Sequence, residues 1–208
     1  MKISLIVDGQ AESQALPGLL RRIQLPQGVR LLNPIYADMQ PKASPDQIAR
    51  AAIDRMKLVR NQKADRTIVL IDLENQEERG MCAPSFAESV QQAFTKKKVG
   101  NVQVIIKNRK FENWLIADPD ALLNMRARFS ISKKQRSQIE PNLADSISDA
   151  TELLNRMVKQ AAYHKRKDPV IICQKVDPLK VAANSRSFRK FLRAVGHATY
   201  KNQSHKPA

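Results

Sequence analysis

Residues 66–78 have the sequence RTIVLIDLENQEE, and this stretch decides the fold. Residues 67–71 form an unbroken run of β-branched and aliphatic side chains, which is typical of a central strand buried on both faces. Asp72 and Glu74 follow where such a strand is expected to end. Ligands bind at the carboxyl ends of strands in open α/β sheets, so this acidic pair is a candidate site. The alternative is a strand that simply continues into a polar loop.

Strand and helix patterns alternate four times in the first half of the chain. The first unit is a strand over residues 2–7, a turn at Asp8 and Gly9, and a helix that begins at Gln10. The remaining strands are expected over residues 29–37, 67–71 and 102–106, with helices that begin near Pro45 and Pro84. Pro34 weakens the second strand and places it at an edge or a bulge. Short right-handed connections then predict an α/β fold with a Rossmann-like open parallel sheet and helices on both faces.

The expected strand order brings four acids together. If the second strand pairs with one side of the first and the third strand with the other, the ends of strands one and three border a single crevice. Asp8 and Glu12 then face Asp72 and Glu74. Carboxylates without a histidine or cysteine cluster are hard oxygen ligands, so they suit Mg²⁺ or Mn²⁺ rather than zinc. Two such ions could activate water and stabilise the leaving oxygen in phosphodiester cleavage.

The second half of the chain has a different character. Residues 1–107 are assigned to the α/β core, residues 108–200 to a basic, mostly helical extension packed on it, and residues 201–208 to a disordered tail. Within the extension we expect short helices over 111–118 and 119–123, a loop or mobile insert over 126–142, a longer helix over 147–161, a fifth strand over 170–173 and a last helix near 188–195.

The formal net charge of +16 is concentrated in this second half. Residues 1–100 carry 15 basic and 11 acidic side chains, whereas residues 101–208 carry 21 and 9. This excess of positive charge favours a polyanionic partner, and nucleic acid is the first candidate. The alternative is that the net charge serves solubility. The side chains that could track phosphates, or else form a solvated face, are Arg126, Arg128, Lys133, Lys134, Arg136, Lys165, Arg166 and Lys167.

The remaining sequence features exclude several classes of protein. No apolar run reaches about 18 residues, so no membrane span is expected. The apolar run after Met1 is too short for a secretory signal, which predicts a cytoplasmic protein. Cys82 and Cys173 form no disulfide framework and are expected to be buried, reduced thiols. His164 and His197 are too far apart in the sequence to indicate a zinc site.

Several of these residues also carry a family resemblance. The VDG turn of residues 7–9 followed by Glu12, and the strand that ends in the DLE sequence of residues 72–74, resemble the Toprim domain of topoisomerases, bacterial primases and overcoming-lysogenization-defect nucleases. The extension is similar to that of small stand-alone Toprim-like proteins of unknown function. The stretches that carry this second likeness are FENWLIADPDAL (111–122), AYHK (162–165) and SRSFRKFL (185–192).

The resemblance implies Mg²⁺-dependent strand scission or transfer. Asp8 stands where Toprim domains have a glutamate that serves as general base or metal ligand, and Glu12 matches an acid of the following helix. Asp72 and Glu74 match the aspartate pair that holds metal. Asp8 is one methylene shorter and Glu74 one longer than the family pattern, which is enough to affect an octahedral Mg²⁺ shell. Glu112 is a further candidate ligand, or else a first-turn glutamate that stabilises a helix N-terminus.

The expected function is therefore that of a Mg²⁺-dependent Toprim-like nuclease. Members of the stand-alone family are often encoded beside an ABC-type ATPase and are suspected in bacterial antiviral defence, so the resemblance implies an ATPase partner. The alternative is a non-catalytic module that keeps the fold and binds nucleic acid or the partner. Nucleotidyl transfer would need further nucleotide-handling motifs, which the sequence lacks.

Overall fold

The computed structural model describes residues 1–40, 42–61, 63–74, 76 and 80–200, with the backbone alone for residues 59–61. The predicted disordered tail lies outside the described residues. The structure confirms the α/β class, because the described strands form one parallel sheet. These strands are β1 (Lys2–Val7), β2 (Arg30–Leu31), β3 (Ile35–Tyr36), β4 (Arg66–Asp72) and β5 (Val102–Lys107).

The strand order is β2-β1-β4-β5, with β3 also paired to β1. The predicted second strand is thus two short strands separated by a break at Pro34, which has no N–H to donate to a ladder. Its edge position is confirmed. β4 pairs with β1 along Ile3–Val7 and with β5 on its other side, so it is the central strand that its sequence indicated.

Two sets of helices cover the sheet. The first half contributes α1 (Gln10–Leu20), α2 (Pro45–Asn61) and α3 (Ala83–Lys96), and the second half contributes α4 (Phe111–Ile116), α5 (Pro119–Asn124), α6 (Lys133–Ser137), α7 (Ala150–Met157), α8 (Asp168–Cys173), α9 (Pro178–Asn184) and α10 (Arg186–Ala194). The predicted start of α2 is confirmed by a capping box, in which the Gln47 N–H donates to Ser44 Oγ and the Ser44 N–H to Gln47 Oε1. Among the described residues, no helix has the length and apolar content that a bilayer crossing requires.

Each face of the sheet has its own hydrophobic core. Alternate residues of a strand point to opposite faces, so Val69 and Ile71 pack with α2 and α3, whereas Ile68 and Leu70 pack with α1 and the helices of the second half. Thr67 through Ile71 are all buried, as expected for a strand covered on both sides. The residues of the second half therefore share a core with the sheet rather than standing apart from it.

Trp114 lies at the centre of the shared core and is 1% exposed. Its ring is 4.9 Å from the Phe188 ring at a steep angle and 5.7 Å from the Phe191 ring, measured between centroids. The indole Nε1–H donates to Ser187 Oγ at 2.8 Å, so the polar end of the buried side chain is paired. The cluster ties α4 to α10.

Besides the fifth strand, two predictions were wrong and one was wrong in part. Outside α6, residues 126–142 are turns and loop, as predicted, but they are not a mobile insert, because Phe129 and Ile139 are buried and α6 begins with a capping box between Ser132 and Gln135. The helix expected over residues 147–161 is limited to α7, eight residues long. Cys82, expected to be buried, is exposed.

Residues 170–173, predicted as a fifth strand, belong to the helix α8 instead. A short apolar run does not distinguish a strand from a buried helix segment, and Pro169 near the helix start was the overlooked signal. α8 packs closely on α1 at Gly18, where an added Cβ would lie 3.2 Å from the Cys173 carbonyl carbon. The missing side chain of Gly18 therefore allows this helix contact.

Truncation of the shared core should weaken the whole protein. We expect Trp114→Ala to lower the free energy of unfolding by about 3–5 kcal/mol, because it empties the centre of the cluster and removes the hydrogen bond to Ser187. Urea denaturation followed by circular dichroism measures this change, since the substitution removes the one tryptophan. Leu58→Ala on α2, where the side chain is 49% exposed, is the control and should cost far less. Two separate transitions in the wild type would contradict a shared core.

Candidate active site around Lys107

Four charged side chains meet at the carboxyl end of the sheet. Lys107 is the last residue of β5, Asp72 is the last residue of β4, Asp8 follows β1, and Glu12 lies in the first turn of α1. The Lys107 Nζ atom is 2.7 Å from Asp8 Oδ1, 2.5 Å from Glu12 Oε2 and 2.9 Å from Asp72 Oδ1. Three of the four predicted catalytic acids thus converge on one ammonium group.

Backbone pairing explains why these side chains meet. Asp72 and Lys107 are direct partners in the β4–β5 register, so their side chains leave the same level of the sheet. Asp8 lies beside the end of β4, where its Oδ2 atom accepts a hydrogen bond from the Asp72 backbone N–H at 2.6 Å. One Asp8 oxygen therefore accepts a hydrogen bond from the backbone of β4, and the other accepts one from the Lys107 ammonium group.

Gly9 gives Glu12 the room to reach this group. The glycine is the N-cap of α1 and has an extended backbone, with φ −111°. A Cβ added there would lie 3.1 Å from Glu12 Cβ and 3.4 Å from Glu12 Oε2. A larger residue would therefore press on the glutamate that contacts Lys107.

The Lys107 side chain is fully buried, and its Nζ atom lies 5.9 Å from the centre of the Phe111 ring. Burial alone would favour the neutral amine, but Asp72, Asp8 and Glu12 overcome it and raise the pKa of Lys107 above its usual range. The sequence prediction ended β5 at Ile106 and so missed this residue. The signal was a lysine directly after an apolar strand, at the level where the neighbouring strands carry aspartates.

One ammonium does not balance three carboxylates. Burial, followed by the charge of Asp8, raises the pKa of Asp72 to about 8 even though Lys107 acts in the opposite direction. Burial also raises the pKa of Glu12 well above its usual range, and Lys107 offsets this only in part. With all three acids ionised, the group of four carries a charge of −2, so it tends to take up protons or another cation.

Two carboxylate oxygens in the group are buried without a hydrogen-bond partner. They are Glu12 Oε1 and Asp72 Oδ1, the second of which lies near Lys107 Nζ but outside hydrogen-bonding alignment. Asp72 Oδ1 still has the ion pair with Lys107, whereas Glu12 Oε1 is left without a partner, which is unusual for a buried carboxylate oxygen. Within the described residues, no group of three or more His, Cys, Asp or Glu side chains has the arrangement of a metal site. The Lys107 ammonium lies between the acids instead.

The other two predicted acids lie outside this contact group. Glu74 pairs with Lys110 at 3.4 Å, and its backbone N–H donates to the Arg109 carbonyl. Glu112 lies half-buried in the first turn of α4, and its negative charge contributes to the raised pKa of Asp72. The described part of the chain gives the Glu112 carboxylate neither a hydrogen bond nor an ion pair.

The predicted nucleic-acid-binding cations fall into two groups. Arg128 pairs with the buried Asp168, and Arg136 pairs with Glu140 and Asp120, so both guanidinium groups support the fold. The others are exposed, and the described residues offer them no ion pair. These are Arg126, Lys133, Lys134, Lys165, Arg166 and Lys167.

Removal of the buried ammonium should be costly. We expect Lys107→Met to lower the free energy of unfolding at pH 7 by about 3–5 kcal/mol, because the buried acids around Lys107 would lose their counter-charge and a hydrogen-bond donor. Urea denaturation would measure this loss. Lys57→Met is the matched control, since Lys57 pairs with Asp54 on an exposed helix surface and should contribute less than about 1 kcal/mol. Equal losses in the two variants would contradict a stabilising role for Lys107.

The metal-free protein should become less stable as the pH rises from about 6.5 to 8. Asp72 keeps a proton in the folded state up to a pKa of about 8, whereas an unfolded aspartate releases it near pH 4. The folded state thus binds more protons in this window, and one proton corresponds to about 1.4 kcal/mol per pH unit. Urea denaturation in EDTA should show that the free energy of unfolding depends less on pH in Asp72→Asn than in the wild type. Some pH dependence should remain, because the pKa of Glu12 is also raised. Greater wild-type stability at pH 8 than at pH 6.5 would refute the raised pKa.

Comparison with known proteins connects this site to a family. Residues 7–196 match the family model described as a domain of unknown function, DUF4276. No curated protein and no solved structure matches the chain. The family match includes all four residues of the site and nearly the whole chain, and the protein therefore belongs to the DUF4276 family.

Proposed function

We propose that the group formed by Asp8, Glu12, Asp72 and Lys107 is the active site of a metal-dependent nuclease, which cleaves phosphodiester bonds in nucleic acid. The observation that carries the proposal is the convergence of three carboxylates, two from the ends of adjacent parallel strands and one from the first turn of α1, with Glu12 Oε1 buried and without a partner. Water would attack phosphorus and the bond to the leaving oxygen would break, giving a phosphate monoester and a hydroxyl group.

The residues fit Mg²⁺ or Mn²⁺ in donor type and in charge. All the donors are hard carboxylate oxygens, and with all three acids ionised the group has a net charge of −2, which one divalent cation would balance. Asp8 and Asp72 would hold the ion, because their side chains are 10% and 22% exposed and reach solvent, whereas Glu12 is enclosed. A bound ion would supply Lewis-acid catalysis and activate water for attack.

The other residues of the group position these donors. Lys107 fixes the Asp8 and Glu12 carboxylates through hydrogen bonds from one ammonium group. Glu12 in turn holds Lys107 from the side of α1, so its contribution is to orient the lysine. Glu112, whose charge acts on Asp72, is the nearest candidate for a further ligand, whereas Glu74 is engaged with Lys110.

The sequence resemblance to Toprim domains supports the same activity, because it implies metal-binding or catalytic roles for Asp8, Glu12 and Asp72. We include in the proposal the Toprim-like affiliation, an ABC-type ATPase partner and a part in antiviral defence, all of which rest on the sequence resemblance. The basic second half of the chain supports nucleic acid as the substrate through its excess of positive charge.

A non-catalytic binding module is the second candidate. The observation in its favour is that Lys107 occupies the centre of the three carboxylates, as in a buried ion-pair network that only stabilises a fold. Such a module would bind nucleic acid with strong salt dependence and take up no metal.

Cleavage and metal uptake separate the two candidates. Purified protein with plasmid or single-stranded circular DNA and Mn²⁺ should cleave the DNA, and Asp72→Asn should lower the rate by at least about 100-fold, or about 2.7 kcal/mol. Calorimetric titration with Mn²⁺ alone should show uptake that Asp72→Asn weakens. Glu74→Gln should retain more activity than Asp72→Asn, because Glu74 does not contact Lys107.

Asp54→Asn on α2 is the matched control and should behave as the wild type, since Asp54 pairs only with the exposed Lys57. Equal cleavage by the wild type and Asp72→Asn would exclude this site as the catalytic centre. Salt-sensitive DNA binding without Mn²⁺ uptake or cleavage would establish the binding module instead.

A further inference from the structure

Two surface cavities meet on the helical part of the molecule. One has a volume of about 590 Å³ and lies between residues 124–128 and residues 161–171. The other has a volume of about 600 Å³ and lies against residues 120–130, Lys159 and Lys180. They share the lining residues Asn124 and Arg126, so they are adjacent, and we call the two cavities together the Arg126 groove.

The Arg126 groove carries uncompensated positive charge. Arg126, Lys159 and Lys167 line it with exposed side chains, and the described residues give none of them an ion pair. Its two acids are already paired: Asp168 with Arg128, and Asp120 with Lys180 and Arg136. The groove therefore presents a net positive charge to solvent.

The floor of the first cavity is apolar. It is formed by Met125, Ala127, Ala162 and Ile171, and the Ile171 side chain is 46% exposed. Exposed apolar surface beside unpaired cations suits a ligand that has phosphates along one edge and flat, weakly polar groups along the other. Single-stranded nucleic acid has this character, because its bases are accessible to side chains. A duplex stacks its bases inside and would contact the cations only.

The walls of the groove are held together by Arg128, which joins segments about 40 residues apart. Its Nε and Nη2 atoms donate to the Asp168 carboxylate at 3.1 and 2.7 Å. Nη2 also donates to the Ala162 carbonyl at 2.9 Å. Asp168 accepts a further bond from the His164 backbone N–H at 2.7 Å. These bonds fix the groove before any ligand arrives, which reduces the ordering cost of binding.

We propose that the Arg126 groove binds single-stranded nucleic acid, with an unstacked base in the apolar cavity and the flanking phosphates on Arg126, Lys159 and Lys167. The assignment rests on the proposed function for the identity of the polyanion and adds the strand form of the substrate. Arg128 and Asp168 keep the structural role described above.

Binding without metal tests this assignment apart from cleavage. Fluorescence anisotropy in EDTA would measure the affinity for a labelled oligothymidine of about 15 nucleotides, an oligouridine of the same length and a duplex of the same length. We expect tighter binding of the single strands than of the duplex. Arg126→Gln/Lys167→Gln should weaken single-strand binding at least tenfold and reduce the slope of log affinity against log salt by about 1.4, or about 0.7 per phosphate contact.

Two further variants separate groove binding from a general charge effect. Arg50→Gln/Lys96→Gln removes the same charge from exposed positions on α2 and α3, on the other face of the sheet, and should leave the affinity near that of the wild type. Ala127→Phe should fill the apolar cavity and reduce the preference for single strands at unchanged net charge. Equal losses in the two double variants, or a duplex that binds as tightly as the single strands, would overturn the assignment.

The proposed function and the groove fail in distinguishable ways. Asp72→Asn should keep the wild-type affinity for oligothymidine while it loses cleavage, because Asp72 lies outside the groove. If Arg126→Gln/Lys167→Gln cleaved DNA at the wild-type rate and single-strand binding could not be measured, the groove assignment would be overturned. The nuclease proposal would remain. Tight single-strand binding without cleavage would support the groove assignment and exclude the nuclease proposal.

Discussion

The buried ammonium of Lys107 is the interaction on which the arrangement of the strand ends depends. A fully buried lysine costs several kcal/mol unless its charge is paired, and here it is paired with carboxylates from β1, α1 and β4. Each of these acids would in turn be unfavourable without the lysine. The four elements therefore stabilise one another's termini through a single contact group at the rim where a parallel sheet presents its ligands.

The same contact group is poorly satisfied, which favours a functional interpretation. A network selected for stability alone would match its charges and pair its oxygens, yet this one has three acids for one base and leaves Glu12 Oε1 buried without a partner. Burial and the neighbouring acids raise the pKa values of Asp72 and Glu12, and the charge of Lys107 offsets this only in part. Such uncompensated sites are retained in proteins mainly where a ligand completes them.

The sheet and the meeting of the acids were accessible from sequence because both follow from periodicity. An apolar run that ends in Asp72 indicates a central strand, and topology then brings the strand ends together. Lys107 was missed because lysines are usually exposed, so a lysine at a strand end is normally interpreted as the start of a loop. The contact of Arg128 with Asp168 joins segments that no local pattern relates. Residues 170–173 were ambiguous because a short apolar run fits a helix as well as a strand.

The acidic site and the Arg126 groove carry opposite charge around one buried region. Tyr163, whose pKa burial raises, feels the charges of both Glu112 and Asp168, and Glu112 also acts on Asp72. A polyanion drawn to the groove would meet repulsion from the carboxylates as a phosphate approached them. A divalent cation would neutralise that repulsion. In the proposed nuclease, the groove would therefore bind the strand, and the bound metal would allow a phosphate to approach the acidic site. This separation of charge would make substrate binding in the proposed nuclease independent of metal and substrate positioning dependent on it.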